Sequence, residues 1–245
     1  MKKKSILLAA TAVMLVAAMS IGGMLAYFTD KDSAVNTFTS GKVDITLTET
    51  SVASEGVNSG TAIEGGNGFN YKVYPGQSYA KKPVITVASD SEDAYLVATV
   101  TISNKAGLYA AFRSENAPAD VVKDWGLSLA GAGKLVSGGI SDYATETTTW
   151  QGLAGTMLKD SDGEDYAFIS YAEIDDTIVY TYWFIDTVTA SQEMPALFTQ
   201  VNIPEEFDNA EMADIANTTI TINAYAVQSV GFDNAKDAYE AAFVE

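Results

Sequence analysis

Short runs of strict apolar–polar alternation punctuate this chain, separated by longer joints rich in Gly, Ser and Asn. Val43-Asp44-Ile45-Thr46-Leu47-Thr48 puts Val43, Ile45 and Leu47 on one side and Asp44, Thr46 and Thr48 on the other, the period-two signature of a half-buried strand. The pattern returns with Leu96, Ala98, Val100 and Ile102, and again with Ile220, Ile222, Ala224 and Ala226. Further strands are predicted over 82–87 and 166–171. The stretch 177–185 is so rich in aromatic and β-branched residues that it reads as a strand covered on both faces. Pro75-Gly76 marks a turn, and 50–70 a long loop. Because only the acidic loop Ser89 to Asp93 separates 82–87 from 95–102, these two strands read as a hairpin.

Helical signals are fewer. The acidic stretch 205–214 suits a short helix. Asp233 reads as the cap of a C-terminal helix that carries Ala235, Tyr239, Ala242 and Phe243 on one side. Between 103 and 165, helix-compatible pieces at 109–112 and 121–125 lie among Gly-rich joints and read as a mixed insertion. The predicted fold is therefore all-β dominated: an antiparallel β-sandwich with an insertion over about 103–165 and a short C-terminal helix.

The first residues follow a different rule. Lys2, Lys3 and Lys4 precede an apolar run from Ile6 to Ala18, and small residues close the segment, which is the layout of a secretory signal. Cleavage between Ala26 and Tyr27 leaves 219 of the 245 residues, predicted to form one domain over 27–245. The alternative is an uncleaved anchor, since Ile6 to Ala26 is close to the ~20 residues that span a bilayer. Membrane contact is expected only through that uncleaved leader. The chain shows no wall-sorting tail and no second long apolar run, so neither covalent wall anchoring nor a C-terminal span is expected.

Composition narrows the chemistry. The chain has no cysteine and no histidine, so disulfides, thiolate sites, the usual zinc ligand and every Ser-His-Asp or Cys-His arrangement are excluded. Its formal charge is −18, and loss of the three leader lysines takes it to −21. Nucleic acid is not an expected partner, because binding it needs clustered Lys and Arg.

Three groups of residues carry a resemblance. Gly22, Gly23, Ala26, Phe28, Asp30, Asn36, Thr37, Phe38, Ser40, Gly41, Val43, Asp44, Ile45 and Leu47 form the first, spanning leader and first strand. Pro75-Gly76, Pro83-Val84 and Ala94-Tyr95-Leu96-Val97 form the second. Ile222-x-Ala224-Tyr225-Ala226-Val227-Gln228-x-x-Gly231-Phe232, running into an Ala-Ala-Phe helix, forms the third. Together these resemble the TasA/camelysin family of secreted biofilm-matrix proteins, with 103–165 unmatched. The resemblance implies a jelly-roll fold, an extracellular or cell-surface location and removal of the leader by a SipW-type signal peptidase. It further implies self-association into fibres, in which a freed segment over 27–39, carrying Tyr27, Phe28, Val35 and Phe38, supplies a strand to another copy.

Candidate chemistry is sparse. Camelysin-like members are described as metalloproteases, but a zinc protease needs two histidines one helical turn apart, so an enzyme is not expected. Asp160-Ser161-Asp162-Gly163-Glu164-Asp165 is the most metal-like stretch, with Asp160, Asp162 and Asp165 as Ca²⁺ candidates, although neither its glycine nor its closing residue fits an EF-hand loop. A solvated turn is the competing reading, there and at Ser89 to Asp93. No other cofactor is expected. Tyr180, Tyr182 and Trp183 read as core aromatics, with a sugar platform as the alternative. The functional expectation is a secreted matrix subunit, against the alternative of an exported Ca²⁺- or carbohydrate-binding module and the remote alternative of a camelysin-like protease.

Overall fold

The computed structural model describes residues 42–112, 136–140, 156–205 and 207–244. The fold is strand-dominated. Its principal sheet comprises β7 (Ala94–Ser103), β9 (Thr156–Lys159), β10 (Asp165–Ile174), β11 (Thr177–Phe184) and β13 (Ile220–Gln228), antiparallel throughout and ordered β13-β7-β11-β10-β9. A second layer contains the pair β1 (Ile45–Thr50) and β6 (Lys82–Val87), and a sheet ordered β2-β5-β12-β8, from Val57–Asn58, Ser78–Ala80, Gln200–Asn202 and Val136–Ser137 respectively. Two short strands, β3 (Thr61–Ala62) and β4 (Phe69–Asn70), pair within the 50–70 loop.

One core joins the layers. Leu96, Ala98, Val100 and Ile102 of β7 and Ile178, Tyr180, Tyr182 and Phe184 of β11 share it with Ile85 and Val87 of β6, Tyr79 of β5 and Phe198. On β7 these are the inward positions of the predicted alternation, and β11 alternates in the same way, buried at every second residue, because a side-chain period of two sorts core from solvent along each strand. The outer face of β11 is less covered than predicted. Thr177, Val179 and Thr181 are half-buried, and Trp183 meets a helix, edge-on to Tyr239 at 5.6 Å.

The predicted hairpin of 82–87 with 95–102 does not form. β6 pairs with β1, while β7 pairs with β11 and β13 in the other sheet. The acidic loop carries the chain across the core instead of folding it back. The amides of Ala88 and Glu92 donate to the carbonyls of Asp44 and Lys42, at 2.9 and 2.8 Å, which ties the crossing to the approach of β1. The apolar rows of β6 and β7 thus face one another across the interior.

The insertion predicted over 103–165 also needs correction. Ser103 ends β7, and 156–165 forms the edge hairpin of the principal sheet, with Leu158 fully buried. Val136–Ser137 belongs to the second layer, and the Ile140 amide donates to the Ala196 carbonyl at 2.8 Å. The helical piece at 109–112 falls within α1 (Lys105–Phe112), whereas that at 121–125 lies outside the described residues.

Helix α1 is held at both ends of its first turn. Asn104, in the left-handed region at φ 59°, accepts from the Gly107 amide and donates to the Asp214 carbonyl at 2.7 Å, and Asp176 accepts from the Ala106 amide at 2.9 Å. The partner helix α2 (Asn209–Asp214) starts with a capping box between Asp208 and Glu211. The two helices meet at Gly107, where a Cβ would lie 2.1 Å from the Asp214 carbonyl oxygen. Gly107→Ala should therefore push the helices apart and destabilise the fold by about 1–3 kcal/mol, read as a lowered melting temperature.

A polar network fastens α1 to the β10–β11 hairpin. Glu173 accepts hydrogen bonds from the Tyr109 and Tyr171 hydroxyls, and its Oε2 lies 3.1 Å from the Lys105 ammonium. Burial pulls the Glu173 carboxyl upward, but these donors outweigh it and hold the group below the usual glutamate range. A carboxylate with a lowered folded value stabilises fully above its unfolded value and loses that contribution as pH falls through the folded one. The acid-side decline in melting temperature below about pH 4.3 should accordingly be shallower in Glu173→Gln than in the unsubstituted protein.

The C-terminal helix α3 (Ala235–Phe243) closes one end of the outer face. Its cap is Asn234, whose side chain accepts from the Asp237 amide, and not the predicted Asp233. Tyr239 and Phe243 form an aromatic cluster with Tyr225 and Trp183, with ring centroids 5.1 to 5.6 Å apart.

Candidate functional site

Edges, not clefts, are where this fold is incomplete. Among the described residues β1 pairs only with β6, and β13 pairs only with β7, so each presents a row of backbone groups without a strand partner. The two edges run close together with no hydrogen bond between them. Side chains on this flank point inward but are poorly covered. Val43, Ile45 and Leu47 on the β1 side, and Ile220, Ile222, Ala224 and Ala226 on β13, are all only half-buried, although they pack on the core. Their counterparts on β7, from Leu96 to Ile102, are 0–3% exposed. The core is closed in its centre and thin on this flank.

A buried ion pair stiffens the second layer beside it. Glu49 has the same parity on β1 as Ile45 and Leu47, so its carboxylate turns inward, where it meets the Lys81 ammonium at 2.5 Å. Both side chains are more than nine-tenths buried, and Oε1 of Glu49 has no partner among the described residues. Around the pair, Ser51 Oγ donates to the Ala80 carbonyl at 2.6 Å and accepts from the Gly60 amide at 2.7 Å, and Tyr71 donates to the same carbonyl at 2.8 Å. Burial raises the Tyr71 hydroxyl above the ordinary tyrosine value, so it remains a donor. Sequence reasoning missed this pair. Its only signal was a glutamate at an inward position of an otherwise apolar row.

The predicted Ca²⁺ residues do not converge. The Asp160 carboxylate accepts from the amides of Asp162 and Glu164 at 2.9 and 3.0 Å, an Asx-type turn. Lys159 places its ammonium 2.5 Å from Asp165 and 3.2 Å from the Gly163 carbonyl. No group of three or more acidic side chains placed to hold a metal occurs among the described residues. At Ser89 to Asp93, Asp90 instead takes the Lys42 ammonium at 3.1 Å, which lowers its carboxyl below the ordinary range. Tyr180 and Tyr182 are buried in the core, and Trp183 donates to Ser170 Oγ at 2.9 Å. A shallow polar cleft of about 410 Å³ lies elsewhere, lined by Asn58, Asn70, Lys72, Tyr74, Gln77 and Tyr79.

The cleavage positions Ala26 and Tyr27 and the assembly residues Phe28, Val35 and Phe38 lie outside the described residues. Among the described helices, none is long and apolar enough to cross a membrane.

No curated protein and no solved structure matches the chain. A family model described as camelysin metallo-endopeptidase matches residues 1–63. That description implies a metal, and the donors present do not fit a hydrolytic zinc centre, since histidine and cysteine are missing from the whole sequence. What the match does bear out is the resemblance carried by Gly22 to Leu47: over its first quarter the chain bears the sequence signature of the TasA/camelysin family.

Proposed function

We propose that this protein is a secreted structural subunit of extracellular biofilm-matrix fibres, with a jelly-roll body completed by a strand from a neighbouring copy. The observation that carries this reading is the thin flank: two unpaired edges, β1 and β13, above inward apolar side chains that the chain's own described residues leave half covered. An open edge of this kind is a template for strand addition. The segment 27–39, freed when a SipW-type peptidase cuts before Tyr27, is the occupant. Drawn out at ~3.3 Å per residue, Tyr27 to Phe38 spans roughly 40 Å, enough to run along the nine residues of β13.

As an extended strand it presents Tyr27 and Val35 on one face and Phe28 and Phe38 on the other. A contact from the start of one copy to the flank of the next is heterologous and does not close, so it propagates as a filament. Before cleavage the leader holds the segment at the membrane, which makes the peptidase the switch for assembly. The test is N-terminal sequencing of the protein released from cells, followed by electron microscopy. Tyr27 as first residue together with filaments is the expected result, and a Tyr27-terminated protein that never forms filaments would contradict it.

A second reading, a carbohydrate-binding module, draws on the cleft of amides and tyrosines near Asn58 and Tyr74. Calorimetric titration with neutral glycans separates the two, because the fibre reading expects no heat at that cleft.

A further inference from the structure

The outer face of the principal sheet carries a pattern that assembly through an edge does not use. Registry lines up three rows across β10, β11, β7 and β13: Ser170-Thr181-Thr99-Asn223, then Ala172-Val179-Thr101-Thr221, then Ile174-Thr177-Ser103, which Thr219 extends through its hydrogen bond to Ser103. Directly paired residues share a face, so these side chains form one grid. None of them is ionisable. Thr99 is buried at 9% exposure and its neighbours on β11 and β7 are half-buried, while Ala172, Ile174, Thr219, Thr221 and Asn223 are exposed. Surfaces normally mix charges of both signs, so a face this free of them is unusual, and more so on a chain of formal charge −18. Among the described residues α3 packs on this face against Trp183 and Tyr225 of the adjoining row, and the Trp183 indole reaches the first row of the grid through its hydrogen bond to Ser170.

We infer that this threonine-rich grid is a lateral contact between copies, through which filaments pair side by side. Charge argues for a second copy as the occupant, because two strongly acidic molecules repel wherever carboxylates face each other and approach most easily through a neutral patch. Shape agrees, since small β-branched and hydroxyl side chains let two sheets pack about 10 Å apart. Area sets the regime. Four strands ~4.8 Å apart and three rows ~6.7 Å apart give about 400 Å² per copy, half the ~800 Å² per partner of a standard stable interface. Free subunits would then stay apart, whereas filaments that repeat the patch along their length would pair by multivalency. The inference rests on the filament reading above.

A chain without cysteine makes the test clean. Thr221→Cys, nearly isosteric, is introduced into the full chain, and the filaments it forms after release are mildly oxidised. Disulfide-linked dimers are expected from it and not from Ser161→Cys at the far hairpin tip, and filaments carrying Thr101→Asp with Thr221→Asp should appear single under the microscope instead of paired. Normal filaments without cross-links from Thr221→Cys would overturn the lateral contact and leave the filament reading intact. So would charged variants that pair as before, or that merely lose adhesion to cellulose or chitin. No filaments from the unsubstituted chain would remove both readings together.

Discussion

A chain that begins at Ser40 should fold, stay monomeric and form no filaments, under conditions where 27–245 converts to fibres. The segment lost holds Tyr27, Phe28, Val35 and Phe38. Burying large apolar side chains is worth about 1.5–3 kcal/mol each, and ladder hydrogen bonds add about 0.5–1.5 kcal/mol each. Removal should therefore shift assembly beyond any practical concentration, read by sedimentation velocity and negative-stain microscopy. On this reading the segment serves a neighbouring copy and not its own body, so the melting temperature of the monomer should be little changed. Equal fibre formation by both chains would exclude the donor-strand route.

The second large effect concerns Lys81. Substituting alanine leaves the Glu49 carboxylate buried with neither oxygen paired to a cation, and breaking a buried pair from one side costs about 3–5 kcal/mol. For a domain of this size each kcal/mol lowers the melting temperature by about 2–4 °C, so Lys81→Ala should melt roughly 6–20 °C lower. Replacing both partners, as in Glu49→Leu with Lys81→Met, should recover most of the loss, since well-packed apolar residues often match a buried ion pair. The comparison of single and double variants isolates the pair. A Lys81→Ala protein that melts within a degree or two of the original would show that the carboxylate finds other support.

Much of the body was legible because alternation reports directly on burial. β1 and β13 appear where Ile45 and Leu47, and Ile220 to Ala226, said they would, and the short acidic helix falls within 205–214. Alternation does not report on pairing, so 82–87 and 95–102 looked like neighbours although they face each other across the core. It fails as well for short pieces. Thr156–Lys159 is four residues long and sits beside Gly-rich sequence, so β9 was hidden inside the supposed insertion. Composition likewise exposed the missing histidine and cysteine, but not the Lys159 and Lys42 ammonium groups that occupy the acidic loops. The thin flank could not be read from sequence at all, since residues of one apolar row differ in cover only once the strand order is known.

The central claim is that the start of one molecule completes the flank of the next, and a cryo-electron-microscopy map of the filament tests it most directly. Density for 27–39 should lie as an added strand along the free edge of β13, beside β1, and trace back to a different subunit. A map in which that density folds onto the body of its own subunit, or in which the β1–β13 flank stays open to solvent, would contradict it.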